Sequence, residues 1–80
     1  MNDKQLRQVV GNVLGVDSDT LTDESSPDTI SGWDSLKTMD LLLAIEQVFD
    51  VRLTDDQIES LTSFALIRLA VAEALVEARG

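Results

Sequence analysis

Apolar residues recur at helical spacing in three stretches of the chain. Between Asp3 and Leu14, the residues Leu6, Val9, Val10, Val13 and Leu14 fall on one side, with Lys4, Gln5, Arg7 and Gln8 on the other. That is the 3.6-residue period of an amphipathic helix. Asp3 suits its N-cap and Gly15 its stop. Gly11, if interior, weakens the helix by about 1 kcal/mol against Ala. The second stretch predicts a helix from about Ser35 to Phe49, with a stripe of Leu36, Met39, Leu42, Leu43, Val48 and Phe49. Leu41 and Ile45 widen its apolar surface beyond one face. Such a helix is buried on more than one side or offers surface to partners. Thr54-Asp55-Asp56-Gln57 matches a capping box and opens a short third helix, Asp55 to about Leu61. Thr62 or Ser63 then caps a fourth helix running to about Ala78, with Phe64, Ile67, Val71, Ala74 and Leu75 as its main stripe.

From Val16 to Asp34 no period is sustained. The residues there (Asp17-Ser18-Asp19-Thr20, then Thr22-Asp23-Glu24-Ser25-Ser26-Pro27-Asp28) are turn and cap formers. Only Leu21, Ile30 and Trp33 offer anchors to a core. So long an irregular stretch in a compact domain is often functional, and this one has room for a short helical turn. No strand pattern or internal repeat is visible. The expected fold is all-α: a small four-helix bundle of three longer helices and one short, with a long loop between helices one and two, forming a single domain over residues 1–80.

Composition narrows the function. The chain has 80 residues, 15 acidic and 6 basic, no His and no Cys, and a net charge of −9. That charge argues against nucleic acid and against anionic membrane surfaces. Without Cys or His there is no thiolate nucleophile, no disulfide, and neither the usual general base nor the usual zinc ligand. A hydrophobic fraction of 44% is too high for a disordered acidic tail. The N-terminus lacks a basic segment followed by an apolar run, and the longest apolar run is Leu41 to Ile45. Neither a signal peptide nor a membrane span is expected, and the expected compartment is the cytoplasm. Residues 17–59 carry a net −10 and the two ends a net +1. This acidic surface either is ordinary solvated helix or steers partners with basic patches. No metal site is expected: Asp17-x-Asp19 begins like a calcium loop, but Leu21 and Thr22 break the pattern. No phosphate-binding glycine motif is present.

The most informative residues are Gly32-Trp33-Asp34-Ser35-Leu36, where the loop meets the second helix. A serine at a helix start is most simply an N-cap. It also projects where the first backbone N–H groups lack partners, a place that suits a phosphate. Gly32 permits a sharp turn. Asp34 is placed to help hold a divalent ion during phosphoryl transfer, and Leu36 offers an apolar grip beside the hydroxyl. Trp33 either anchors the loop on the bundle or shapes the surface near the serine.

The segment Gly32 to Asp50 resembles the modification-site region of acyl carrier proteins. The shared motifs are Asp34-Ser35-Leu36 at the start of helix two and Glu46-Gln47-Val48-Phe49-Asp50 at its end. The likeness continues through Val51-Arg52-Leu53-Thr54-Asp55-Asp56 and the Leu61-Thr62-Ser63 link. The resemblance implies a freestanding, non-enzymatic carrier, with 4′-phosphopantetheine placed on Ser35 by a phosphopantetheinyl transferase using coenzyme A and Mg²⁺. The arm then carries acyl groups as thioesters. It implies cofactor contacts at Asp34 and Leu36. It implies docking contacts at Leu36, Met39 and Asp40, with secondary docking charges at Asp55, Asp56 and Glu59. It also implies a sheltered acyl chain, for which Thr38, Leu42, Ile45, Ile58, Leu61 and Ile67 are the candidate lining, although plain core packing explains them equally. Implied partners are an acyltransferase or adenylating ligase and synthases or transferases with basic patches; the expected state is a monomer. Lys37 after the motif, a helix two poor in Glu, and Trp33 depart from the housekeeping fatty-acid carriers. They favour a carrier dedicated to a polyketide, lipid-modifying or aminoacyl pathway. The alternatives are a peptidyl or aminoacyl carrier with the same arm, and an unmodified acidic adaptor in which Ser35 is only a cap.

Overall fold

The structure, a computed structural model, describes residues 2–79. Four α-helices are present, α1 (Asp3–Leu14), α2 (Ser35–Phe49), α3 (Asp55–Glu59) and α4 (Phe64–Arg79), with one turn of 3₁₀ helix at Ser18–Thr20 inside the long loop. Among the described residues there is no strand. The expected helical bundle of three longer helices and one short is the architecture found.

The helix ends follow local chemistry. Asn2, not Asp3, caps α1: its side-chain oxygen accepts from the Lys4 N–H at 3.0 Å. Asp3 is thereby free for Arg7 and Arg68. Gly15 closes the helix in the left-handed conformation at φ 72°. Asp50 does the same for α2 at φ 54°, a conformation that Asp tolerates better than most residues. The capping box of Thr54 and Gln57 opens α3. That helix stops at Glu59, short of Leu61, because the Ser60 N–H is shared between the Asp56 and Gln57 carbonyls and Leu61 turns inward to be buried. Ser63 rather than Thr62 caps α4, accepting from the Leu66 N–H.

The core joins Leu6, Val10 and Leu14 of α1 to Leu41, Leu42 and Ile45 of α2 and to Phe64, Ile67, Val71 and Ala74 of α4, with Leu21 and Trp33 added by the loop. The stripe expected for α2 is corrected here. Its buried face is Leu41, Leu42 and Ile45, with Phe49 half-buried, whereas Leu36, Met39, Leu43 and Val48 are exposed. A helix apolar nearly all round leaves the choice of face to its neighbours. Gly11 is buried, and a Cβ there would lie 2.9 Å from the Val16 carbonyl oxygen and 3.3 Å from the Ser18 Cα. The glycine therefore lets the start of the loop press against α1.

The loop is well tied down. Leu21 and Trp33 are buried and Ile30 half-buried, as the sequence suggests. Ser25 is also buried, its hydroxyl accepting from the Thr22 N–H. The Ser25 and Asp23 carbonyls accept from the Phe64 and Ala65 N–H groups, which no intrahelical carbonyl can satisfy. Arg68 of α4 binds Asp3 of α1 and Asp23 of the loop, each at 2.8 Å, and Arg7 also binds Asp3. Both guanidinium groups lie over the buried Phe64 ring, at 5.8 Å for Arg7 and 5.1 Å for Arg68. The hydrogen bonds from Arg68, and secondarily from Arg7, hold the Asp3 carboxyl below its usual range.

Candidate functional site

The start of α2 is held from three directions. Trp33 is buried, and its indole N–H donates to the Thr38 hydroxyl at 3.1 Å. The Thr38 hydroxyl donates to the Asp34 carbonyl at 3.0 Å. The Asp34 side chain accepts from the Lys37 N–H at 2.9 Å. Asp34 is therefore the N-cap of α2, with extended backbone at φ −123° and ψ −171°. Ser35 is the first helical residue.

This placement corrects the simplest reading of Ser35 as the cap. Its side chain is exposed, and among the described residues its hydroxyl has no hydrogen-bond partner. Asp34 closes the cap in its place. A nucleophilic oxygen thus stands at the solvent edge of a helix N-terminus on a backbone held by its neighbours. That arrangement fits a phosphodiester linkage: the oxygen is free to react, and a phosphate there faces the positive end of the α2 dipole. Trp33 serves as the anchor of the loop.

Leu36 beside the serine is 70% exposed and Met39 50%. Asp40 is exposed on α2, and Asp55, Asp56 and Glu59 are exposed on or beside the first turn of α3. All the expected docking residues thus face solvent. Of the expected acyl lining, Leu42, Ile45, Leu61 and Ile67 are buried in the core, and Thr38 and Ile58 are half-buried. The Thr38 hydroxyl is already engaged by Trp33 and Asp34.

Two features escaped the sequence. One is a groove of about 890 Å³ between the C-terminal halves of α2 and α4, bordered by Leu43, Gln47, Arg52, Ala74, Glu77 and Ala78. Its walls come from segments about thirty residues apart, and no local motif marks it. The other is the Asp3–Arg68 pair, which joins residues 65 positions apart. Among the described residues, no group of three or more acidic side chains is placed to hold a metal ion. No helix there is long and apolar enough to cross a membrane.

The chain is similar to known proteins in both sequence and fold. Residues 4–72 match the family model described as a phosphopantetheine attachment site. The chain is 35% identical over 63 residues to an acyl carrier protein of Akkermansia muciniphila, covering 79% of each. Its fold is similar to the solution structure of the holo acyl carrier protein of Geobacter metallireducens, with a TM-score of 0.84, 25% identity, and coverage of 96% of this chain and 88% of that one.

Proposed function

The chain belongs to the phosphopantetheine-attachment family of acyl carrier proteins, and from that premise we propose that Ser35 is the residue that bears the group. The family carries rather than catalyses, and phosphopantetheine is its covalent cofactor. The observation supporting Ser35 is its exposed, unpartnered hydroxyl at the first position of α2, with the cap supplied by Asp34. The bound group supplies a thiol on a long flexible arm, on which acyl cargo is held and brought to each docked enzyme at high effective concentration.

The chain's own residues do the presenting. Asp34, Thr38 and Trp33 fix the backbone that displays the oxygen. Asp34 uses one carboxylate oxygen on the helix, leaving the other to approach the Mg²⁺ that a phosphopantetheinyl transferase brings with coenzyme A. Leu36 and Met39 give that enzyme, and later partners, an apolar grip. Asp40, Asp55, Asp56 and Glu59 supply the charge that steers basic patches and speeds weak, transient docking. The pathway is a dedicated one rather than central fatty-acid synthesis: Lys37 follows the motif, and α2 carries only Asp40 and Glu46 as acids.

The adaptor reading, in which Ser35 is needed only as a cap, loses its ground because Asp34 is the cap. Intact mass separates the two readings. Incubation with a promiscuous phosphopantetheinyl transferase, coenzyme A and Mg²⁺ adds one phosphopantetheine to the parent and none to Ser35→Ala. An equal gain in Ser35→Ala, or none in a folded and previously unmodified parent, refutes the assignment.

A further inference from the structure

We propose that the groove between the C-terminal halves of α2 and α4 is the resting site of the acyl group at the end of the arm, and that it takes short acyl chains bearing polar substituents. This inference rests on attachment at Ser35.

Reach comes first. From the Ser35 oxygen to its thiol the arm runs through about 15 bonds. At the roughly 1.2 Å of advance per bond that an extended polypeptide achieves, it spans about 18 Å. With a helical rise of about 1.5 Å per residue, Leu43 lies about 12 Å and Gln47 about 18 Å along α2 from Ser35. The thiol of an arm laid along the helix therefore arrives at the mouth of the groove, which Leu43 and Gln47 border.

There is also a track for it. Leu36, Met39, Leu43 and Gln47 are spaced i, i+3, i+7 and i+11, so they form one line along α2. The three apolar members are 70%, 50% and 60% exposed. The methyl and methylene groups of the arm would cover this surface, which no element of the fold covers. The stripe also includes two of the expected docking residues, so a docking enzyme would lift the arm off it and free the cargo.

The groove then selects the cargo. From Leu43 to Asp50 it follows α2 for seven residues, about 10 Å, enough for roughly eight extended carbons. Leu43, Ala74 and Ala78 make part of its border apolar, while the Gln47 amide, the Arg52 guanidinium and three carboxylates, those of Glu46, Asp50 and Glu77, make the rest polar and mostly acidic. A plain alkyl chain would desolvate those groups without pairing them, which is costly. A chain with hydroxyl, keto or amide groups gives them partners.

The test loads the protein with 3-hydroxyoctanoyl-phosphopantetheine and begins with intact mass. If Ser35 takes no group, attachment at Ser35 fails, and this inference falls with it. If mass shows one loaded arm, isotope-edited nuclear Overhauser spectra locate the chain. Contacts from its methylenes to Leu43, Ala74 and Ala78 are expected. Filling the groove by Ala78→Trp, or by Gln47→Trp should the first variant lose helicity, is expected to abolish them. Contacts to Ile45, Leu61 and Ile67 instead would place the chain in the core, and no contacts at all would leave it in solvent. Either result in a loaded protein overturns the inference while leaving Ser35 standing.

Discussion

Removing the cap and removing the proposed acceptor oxygen are separable because they belong to different residues. Asp34→Ala deletes the carboxylate that accepts from the Lys37 N–H at 2.9 Å. Loss of such a cap costs about 0.5–2 kcal/mol, typically near 1. Losing a negative charge at the helix N-terminus adds a few tenths more. For a domain of this size, 1 kcal/mol corresponds to a fall in Tm of about 4–8 °C. Ser35→Ala removes a hydroxyl that has no partner among the described residues and substitutes a better helix former, so it is expected within about 0.5 kcal/mol of the parent, on the stable side. Asp34→Asn retains the capping oxygen and stays within a few tenths. Urea unfolding followed by circular dichroism measures all three, and the single Trp33, at the entrance to α2, provides an independent fluorescence probe. The reasoning fails if Ser35→Ala loses as much stability as Asp34→Ala. A folded Asp34→Asn that is modified much more slowly than the parent would assign the carboxylate a part in the transfer beyond capping.

Gly11→Ala should destabilise, although helix propensity alone favours Ala by about 1 kcal/mol. A Cβ at 2.9 Å from a backbone oxygen brings an overpacking cost of about 1–3 kcal/mol, and a raised urea midpoint would refute the close approach. Asp3 has a folded pKa below its ordinary value of 3.8, so its contribution is present above that pH and lost as pH falls through the lower folded value. The stability gap between the parent and Asp3→Asn should accordingly be constant near neutrality and close below about pH 4; a gap that widened in acid would contradict the Arg68 and Arg7 contacts. With residues 17–59 at a net −10, moderate salt should raise Tm by relieving self-repulsion, and a Tm unchanged between low and moderate salt would count against this.

The extents of the first and second helices are legible because runs of helical spacing are bounded by cap and turn formers: α1 and α2 span the segments where the pattern of residues places them. Within those bounds, single-residue assignments go astray where two capable residues adjoin. Asn2 and Asp3 both make good caps, as do Asp34 and Ser35, and the choice is made by Arg68, 65 positions from Asp3, and by the turn that Trp33 anchors. The buried face of α2 was hidden for another reason. Nine of its fifteen positions are Leu, Met, Ile, Val, Phe or Ala, with Leu41 to Ile45 apolar without a break. Only packing against α1 and α4 distinguishes Leu42 from Leu43. Loop hydrogen bonds to Phe64 and Ala65, and the groove at the far end of α2, are long-range products with no local signature. The segment Asp34-Ser35-Leu36, proposed above as the attachment motif, is by contrast contiguous, and a contiguous segment can be singled out from sequence.

The attachment of the loop to α4 has a bearing on how the molecule opens. Two carbonyls near the loop's middle, those of Asp23 and Ser25, satisfy the first two amides of α4, and Arg68 fastens the same stretch from one turn further on. Detaching the loop strands donors on the helix, and unwinding the start of the helix strands acceptors in the loop. The two therefore open as one cooperative unit. Amide exchange at Phe64 and Ala65 should consequently report the loop's opening equilibrium rather than the fraying of a helix end. A partner that pulled on the loop while engaging Ser35 would be felt at the far wall of the bundle.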